Sequence, residues 1–401
     1  MKNTILSVIA LLAVFVISKG DYWTQKSSCP VMRKTSFNFS IGTKGYTGSG
    51  RDSLGQLTKS FWEYNSATNA WTQKADVSGY PREGAIGFAI GSKGYAGLGC
   101  NIDHSGNLQD FYEYDTATNA WTPKAFYQGM GSAYAVSFVV GNYGYVCTGT
   151  NGMADYQELW QYDPAADCWN QKTGISGVAR QQATAFAIGT KGYIIGGYTL
   201  TDSTLLNDFW EYNTLSEGWQ QLANAPGHAR CDAAAFSLLG KGYFGIGDTA
   251  GGSLKDFWEY EPTNNHWTER VNFPGTARDE TSYFTIADKG YIGLGGDGGI
   301  YYDFWEYTPD AAASIPENSE AINVSVFPNP FKEKTTLTIT GNSSNSSLII
   351  YNIYGAQVLN IVLGDKKEVV FGREKLTAGI YFYELVQAHK SIPAKGRIVI
   401  E

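Results

Sequence analysis

The sequence predicts an all-β chain: a closed ring of six four-stranded sheets followed by a small β-sandwich. Three observations predict it. Trp recurs at 23, 71, 121, 169, 219 and 267, at spacings of 48, 50, 48, 50 and 48, and a period of this size marks propellers or solenoids. Aromatic residues make up 14% of the chain beside 47 Gly, which suits short strands joined by tight turns. Finally, "FWEYNSATNAWTQK" (61–74) is rewritten at 111–124, 159–172, 209–222 and 257–270, whereas a further copy stops at "FWEY" (304–307) and a spare "DYWTQK" stands at 21–26.

Within a unit, residues 180–219 show the pattern. "ATAFAIG" reads as the first strand and "GYIIGGY" as the second, joined by a Gly-Thr-Lys-Gly turn, with "DFWEYN" the third and the Trp219 segment the fourth. Tight turns make the neighbours antiparallel, so each unit is a meander. Adjacent rings such as Phe209 and Trp210 point to opposite faces, and one sheet cannot bury both. Stacking copies around a ring buries every face. The truncated last unit lacks its fourth strand, so residues 21–26 are expected to supply it, which gives six blades.

These units resemble the kelch family of β-propellers. The second strand ends in Gly at 50, 99, 149, 197, 247 and 295, with Tyr four residues before each and Arg thirteen before that Tyr at 33, 82, 180, 230 and 278; Ser132 takes the sixth place. The resemblance covers residues 21–307 and implies a six-bladed kelch-type β-propeller closed by the N-terminal strand. Similarity to the central domain of galactose oxidase is one of fold, because its copper site cannot be mapped onto this chain.

The flanks carry targeting signals. "MKNTILSVIALLAVFVISKG" (1–20) has an early Lys and an apolar run too short to span a bilayer comfortably, so it reads as a secretory signal cut near Ser18–Gly20. No Cys follows the cut to take a lipid, and no other stretch could cross a membrane. Residues 309–321 read as a linker rich in Ala, Pro and small polar residues. In 322–401 the blocks "VFPNPF", "IYNIYGAQV", "LTAGIYFYEL" and "GRIVIE" resemble the type A C-terminal sorting domain of the type IX secretion system. That resemblance implies export through this machinery to the outer-membrane exterior of a Bacteroidota-type bacterium. The five Cys are an odd number and follow no repeat position, so they are read as individual substitutions rather than a disulfide framework.

A net charge of −8 without a basic stripe argues against nucleic acid or anionic lipid as partner. Function is expected at the ring's mouth, where the linkers into each first strand and the loops from second to third strand gather. Two residues after each Arg phase stand Thr35, Gly84, Tyr134, Gln182, Asp232 and Glu280; the loops add Arg51, Asn101, Asn151, Tyr198, Asp248 and Asp297. These polar and aromatic positions form the candidate binding surface. The repeated Arg residues are read as structural partners of the carboxylates before each third strand, Asp110, Asp208, Asp256 and Asp303, with Glu158. The four His (104, 228, 266 and 389) are too dispersed for a metal site. "NIDHSGNLQD" (101–110) is like a calcium loop, but Tyr112 stands in place of its closing Glu. No nucleophile elbow is present.

The expected function is a non-catalytic, cofactor-free module that binds glycan or extracellular protein. An extracellular carbohydrate enzyme remains the alternative, an epimerase, mutarotase or oxidase, with Asp232 and Glu280 as an acid/base pair.

Overall fold

The computed structural model describes residues 20–101, 106–131, 133–310, 323–340, 346–352, 357–364, 366–373, 376–387 and 390–401. The expected secretory signal to residue 19, nearly all of the linker, the centre of the calcium-like loop, Ser132, His104 and His389 lie outside the described residues. The chain divides into two compact units, Met1–Ala311 and Ala312–Glu401.

In the first unit each repeat folds into a four-stranded antiparallel sheet. The fourth repeat illustrates it: Thr184–Ile188, Lys191–Thr199, Thr204–Asn213 and Gly218–Leu222 pair in sequence order. The last repeat supplies Ser282–Ile286, Lys289–Gly293 and Phe304–Thr308, and Tyr22–Lys26 pairs antiparallel with Phe304–Thr308 as the fourth strand.

Packing between sheets explains why the repeat keeps Gly before Tyr. The first-strand Phe of each sheet lies on that Gly in the next sheet: Phe39 on Gly94, Phe88 on Gly144, Phe138 on Gly192, Phe186 on Gly242, Phe236 on Gly290, and Phe284 on Gly45. A Cβ at these glycines would stand 2.0–2.3 Å from a ring carbon, so only Gly admits the contact. Trp71, Trp121, Trp169 and Trp219 each donate the indole N–H to a backbone carbonyl of the preceding repeat, at 2.8–3.1 Å.

Residues 21–26 reproduce this scheme at the other end of the chain. Trp23 donates to the Val271 carbonyl at 3.0 Å. Asp21 accepts from the Val271 N–H and the Tyr307 hydroxyl, both at 2.9 Å, as Asn69 accepts from the Ser27 N–H and the Tyr64 hydroxyl.

The Arg–Asp pairs form within single sheets. Arg82, Arg180, Arg230 and Arg278 are buried and grip Asp110, Asp208, Asp256 and Asp303 with both guanidinium nitrogens, at 2.5–2.9 Å. Arg33 has Ser60 at the carboxylate position and bonds the Ser60 carbonyl at 2.8 Å. All five cysteines are free thiols.

The second unit is a sandwich. Asn323–Phe327, Lys334–Thr340 and Glu368–Gly372 form one sheet; Gln357–Gly364, Ser346–Tyr351, Gly379–Gln387 and Lys390–Ile400 form the other. Leu337, Ile339, Leu348, Ile350 and Ile398 share one core between them. Among the described residues, no helix is long and apolar enough to cross a membrane.

Candidate functional site

The residue two places after each Arg phase adopts the left-handed backbone conformation, from Thr35 (φ 55°) to Glu280 (φ 50°), with Gly84 the one glycine among them. This conformation lets each chain turn from its short pairing with the second-to-third loop into the first strand. It also joins the repeats. The N–H of Thr35 donates to the Glu280 carbonyl, Gly84 to Thr35, Tyr134 to Gly84, Gln182 to Tyr134, Asp232 to Gln182, and Glu280 to Asp232, at 2.9–3.2 Å. These bonds return to their starting residue.

Inside that cycle lies a cavity of about 160 Å³, lined by all of its residues and continuing to Thr281 and Tyr283. The Tyr283 hydroxyl meets Thr184 Oγ1 from two repeats away at 3.0 Å. The Tyr134 ring covers Gly84, whose absent Cβ would stand 3.0 Å from it.

A larger cleft of about 980 Å³ opens beside the cavity and shares Gln182, Asp232 and Glu280 with it. The fourth repeat builds one wall. Its middle strands run past the length of their counterparts through a bulge between Ile195 and Gly197, and the extension pairs Tyr198 with Leu205. Gly196 and Gly197 have φ of 62° and 104°, so the doubled glycine belongs to the repeat that projects Tyr198 and Thr204 into the cleft.

Of the residues expected at the mouth, Gln182, Tyr198, Asp232, Asp248 and Glu280 meet in the cleft, and Thr35 and Tyr134 line the inner cavity. Arg51, Asn101, Asn151 and Asp297 line neither. The Arg51 guanidinium is paired with Glu83, its Nε donating to Oε2 at 2.8 Å. Asn101 is buried and donates to the Pro81 carbonyl at 2.6 Å. Asn151 caps its own turn, accepting from the Met153 and Ala154 N–H groups. Asp297 is exposed in a Gly-rich turn.

The cleft also contains Lys34, Cys231 and Asp279, which sequence reasoning missed, together with His228. The repeat does offer a signal, because all three missed residues stand one position before the left-handed residue, where the backbone bridges to the second-to-third loop, as Cys231 does to Asp248.

Electrostatically the cleft is acidic. Gln182 Nε2 donates to Asp232 Oδ2 at 2.7 Å, and Lys34 Nζ lies 2.5 Å from Glu280 Oε2. Burial, then the charges of Glu280 and Asp279, pushes the Asp232 carboxyl well above the carboxylate range. Burial, then Glu280 and Asp248, raises Asp279 to about 7. A carboxyl held in this way donates a hydrogen bond when protonated and exchanges a proton near neutrality.

Residues 325–401 match the family described as secretion system C-terminal sorting domain. Among solved structures, one described as the structure of YjhT aligns with a TM-score of 0.60 at 17% identity, covering 69% of this chain and 96% of that one. At that identity the likeness is one of fold. No curated protein matches the chain. The repeats, the sheets and these matches agree that the first unit has a kelch-type propeller fold and that a type IX sorting domain ends the chain, directing its export to the cell surface or beyond.

Proposed function

We propose that the first unit is a six-bladed ring closed by the N-terminal strand, and that its mouth serves the exported protein as a non-catalytic binding site for an extracellular glycan. The pairing of Tyr22–Lys26 with Phe304–Thr308 and the self-returning cycle of backbone bonds support the closed ring. One observation carries the binding reading. The fourth repeat, the one with extended middle strands, uses that extension to hold Tyr198 over a cleft of hydroxyl, amide and carboxyl groups. Concave sites with an aromatic wall and a few convergent polar groups suit sugars.

Glycan arrays and binding to surface proteins test this with the mature chain. Glycan binding that falls at least about tenfold in Tyr198→Ala is expected; absence of glycan binding refutes the reading, and binding to a protein alone replaces it with a protein-docking face.

A second reading has its own observation. Asp279, held near 7 beside Glu280, could serve as acid and base in a sugar epimerase or mutarotase. Turnover of a sugar that is abolished in Asp279→Asn, with binding retained, would establish the enzyme.

A further inference from the structure

We propose that the cleft selects a polyhydroxylated ligand bearing a free ammonium group, an amino sugar, over neutral and acidic saccharides. This rests on the reading of the mouth as a glycan site and names the ligand class. Asp232, Asp248, Asp279 and Glu280 all line the cleft, and the one lysine beside them is Lys34, with the His228 imidazole. Among the described residues, these four carboxyls make one salt bridge, Lys34 to Glu280. Glu280 is paired with Lys34, and burial and the crowding of Glu280 and Asp279 around Asp232 disfavour ionising all of them together, so an arriving cation would relieve repulsion among carboxyls that one lysine does not balance. An ammonium group supplies both a charge and three donors, whereas a sugar carboxylate would meet like charge.

The geometry also distinguishes among cations. No group of three or more His, Cys, Asp or Glu among the described residues is arranged to hold a metal ion. Dispersed carboxyls suit an organic cation that spans them better than a bare ion. Ser203, Thr204, Thr249 and the Tyr198 phenol line the same cleft and can exchange hydrogen bonds with hydroxyls, which favours a saccharide over a lysine side chain.

The adjoining cavity gives an independent pointer. Thr281 lines it at 5% exposure, and its Oγ1 has no hydrogen-bond partner. Buried hydroxyls are ordinarily bonded, so this one is an unmet polar group in the cavity wall beside Gln182, Asp232 and Glu280.

Calorimetry on the full mature chain tests the proposal with four probes: a chitosan oligosaccharide, its fully N-acetylated counterpart, a galacturonate oligosaccharide and a lysine-rich peptide. The free-amine oligosaccharide should bind at least about tenfold more tightly than the acetylated one, and its binding should weaken as salt is raised. Asp248→Asn and Glu280→Gln should each reduce its affinity about tenfold and that of the acetylated probe by distinctly less, so that the preference for the free amine shrinks. Thermal melts confirm that both variants are folded. Equal or tighter binding of the acetylated or acidic probe overturns the amine selectivity but leaves the glycan site standing. Binding of the peptide alone overturns both readings, and binding of none of the four overturns the proposal.

Discussion

Removing the ring of Trp23 should cost the first unit several degrees of thermal stability, although its strand, Tyr22–Lys26, lies about 280 residues in sequence from the strand it pairs with. Its indole packs on Phe257, Phe273 and Tyr307 at centroid distances of 5.1, 5.4 and 5.0 Å and donates to the Val271 carbonyl. Truncating a buried aromatic costs roughly 3–5 kcal/mol; half-burial puts Trp23 near the lower end, and its lost hydrogen bond adds about 1 kcal/mol. The expected loss is about 3–4 kcal/mol. With an unfolding entropy of about 2.1 cal/mol/K per residue over roughly 290 residues, that corresponds to a Tm lower by about 5–7 °C. Differential scanning calorimetry of Trp23→Ala measures it, with the second unit unchanged as internal reference. A fall below about 2 °C would refute closure through this strand, because a frayed terminus contributes almost nothing.

Three further outcomes follow from the packing and the charges. Gly192→Ala places a Cβ 2.2 Å from the Phe138 ring and should cost about 1–3 kcal/mol by urea denaturation, with Phe138→Leu recovering part of the loss in the double variant. Arg180→Met leaves Asp208 and the Gly196 carbonyl without their shared partner and should cost about 3–5 kcal/mol. Arg33→Met should cost less in the same assay, since Arg33 bonds serine and backbone oxygens rather than a carboxylate. Asp279 is raised to about 7, so between its ordinary value and 7 the folded chain holds a proton that the unfolded chain releases. Stability therefore falls as pH rises through that window and the penalty is complete above about 7; Tm measured from about pH 5 to about pH 8 should decline, and less steeply in Asp279→Asn.

The sheets and their packing were legible because each contact between them is written into the repeat as a residue type. Gly before Tyr marks where a Phe lands, Trp marks the fourth strand, and the surplus Trp23 marks the strand that pairs with Phe304–Thr308. The mouth was legible only in part, since loop side chains can be consumed locally. Arg51 is neutralised by Glu83 and Asn101 is folded onto Pro81; neither partner follows from the loop's own sequence. Lys34, Cys231 and Asp279 were missed for a different reason. Strict alternation along a strand sends consecutive side chains to opposite faces, which would turn the residue before Thr35, Asp232 or Glu280 away from the mouth. The left-handed residue breaks the alternation, so Cys231 with Asp232 and Asp279 with Glu280 line the same cleft, and Lys34 lines it while Thr35 lines the adjoining cavity.

That backbone conformation is the feature on which the site depends, and it can be weighed directly. An ordinary residue held there is strained by roughly 1–2 kcal/mol, and Gly is not. Gln182→Gly and Gln182→Ala both lose the bond to Asp232, so their difference isolates the backbone. Gly should be the more stable by about 1 kcal/mol in chemical denaturation, the reverse of the usual order in a strand. If Ala matched or exceeded Gly, the left-handed turn would not be imposing strain. If Gly is the more stable, then Thr, Tyr, Gln, Asp and Glu stand where glycine would be easier to accommodate, and what they contribute in return is the chemistry they present to the mouth.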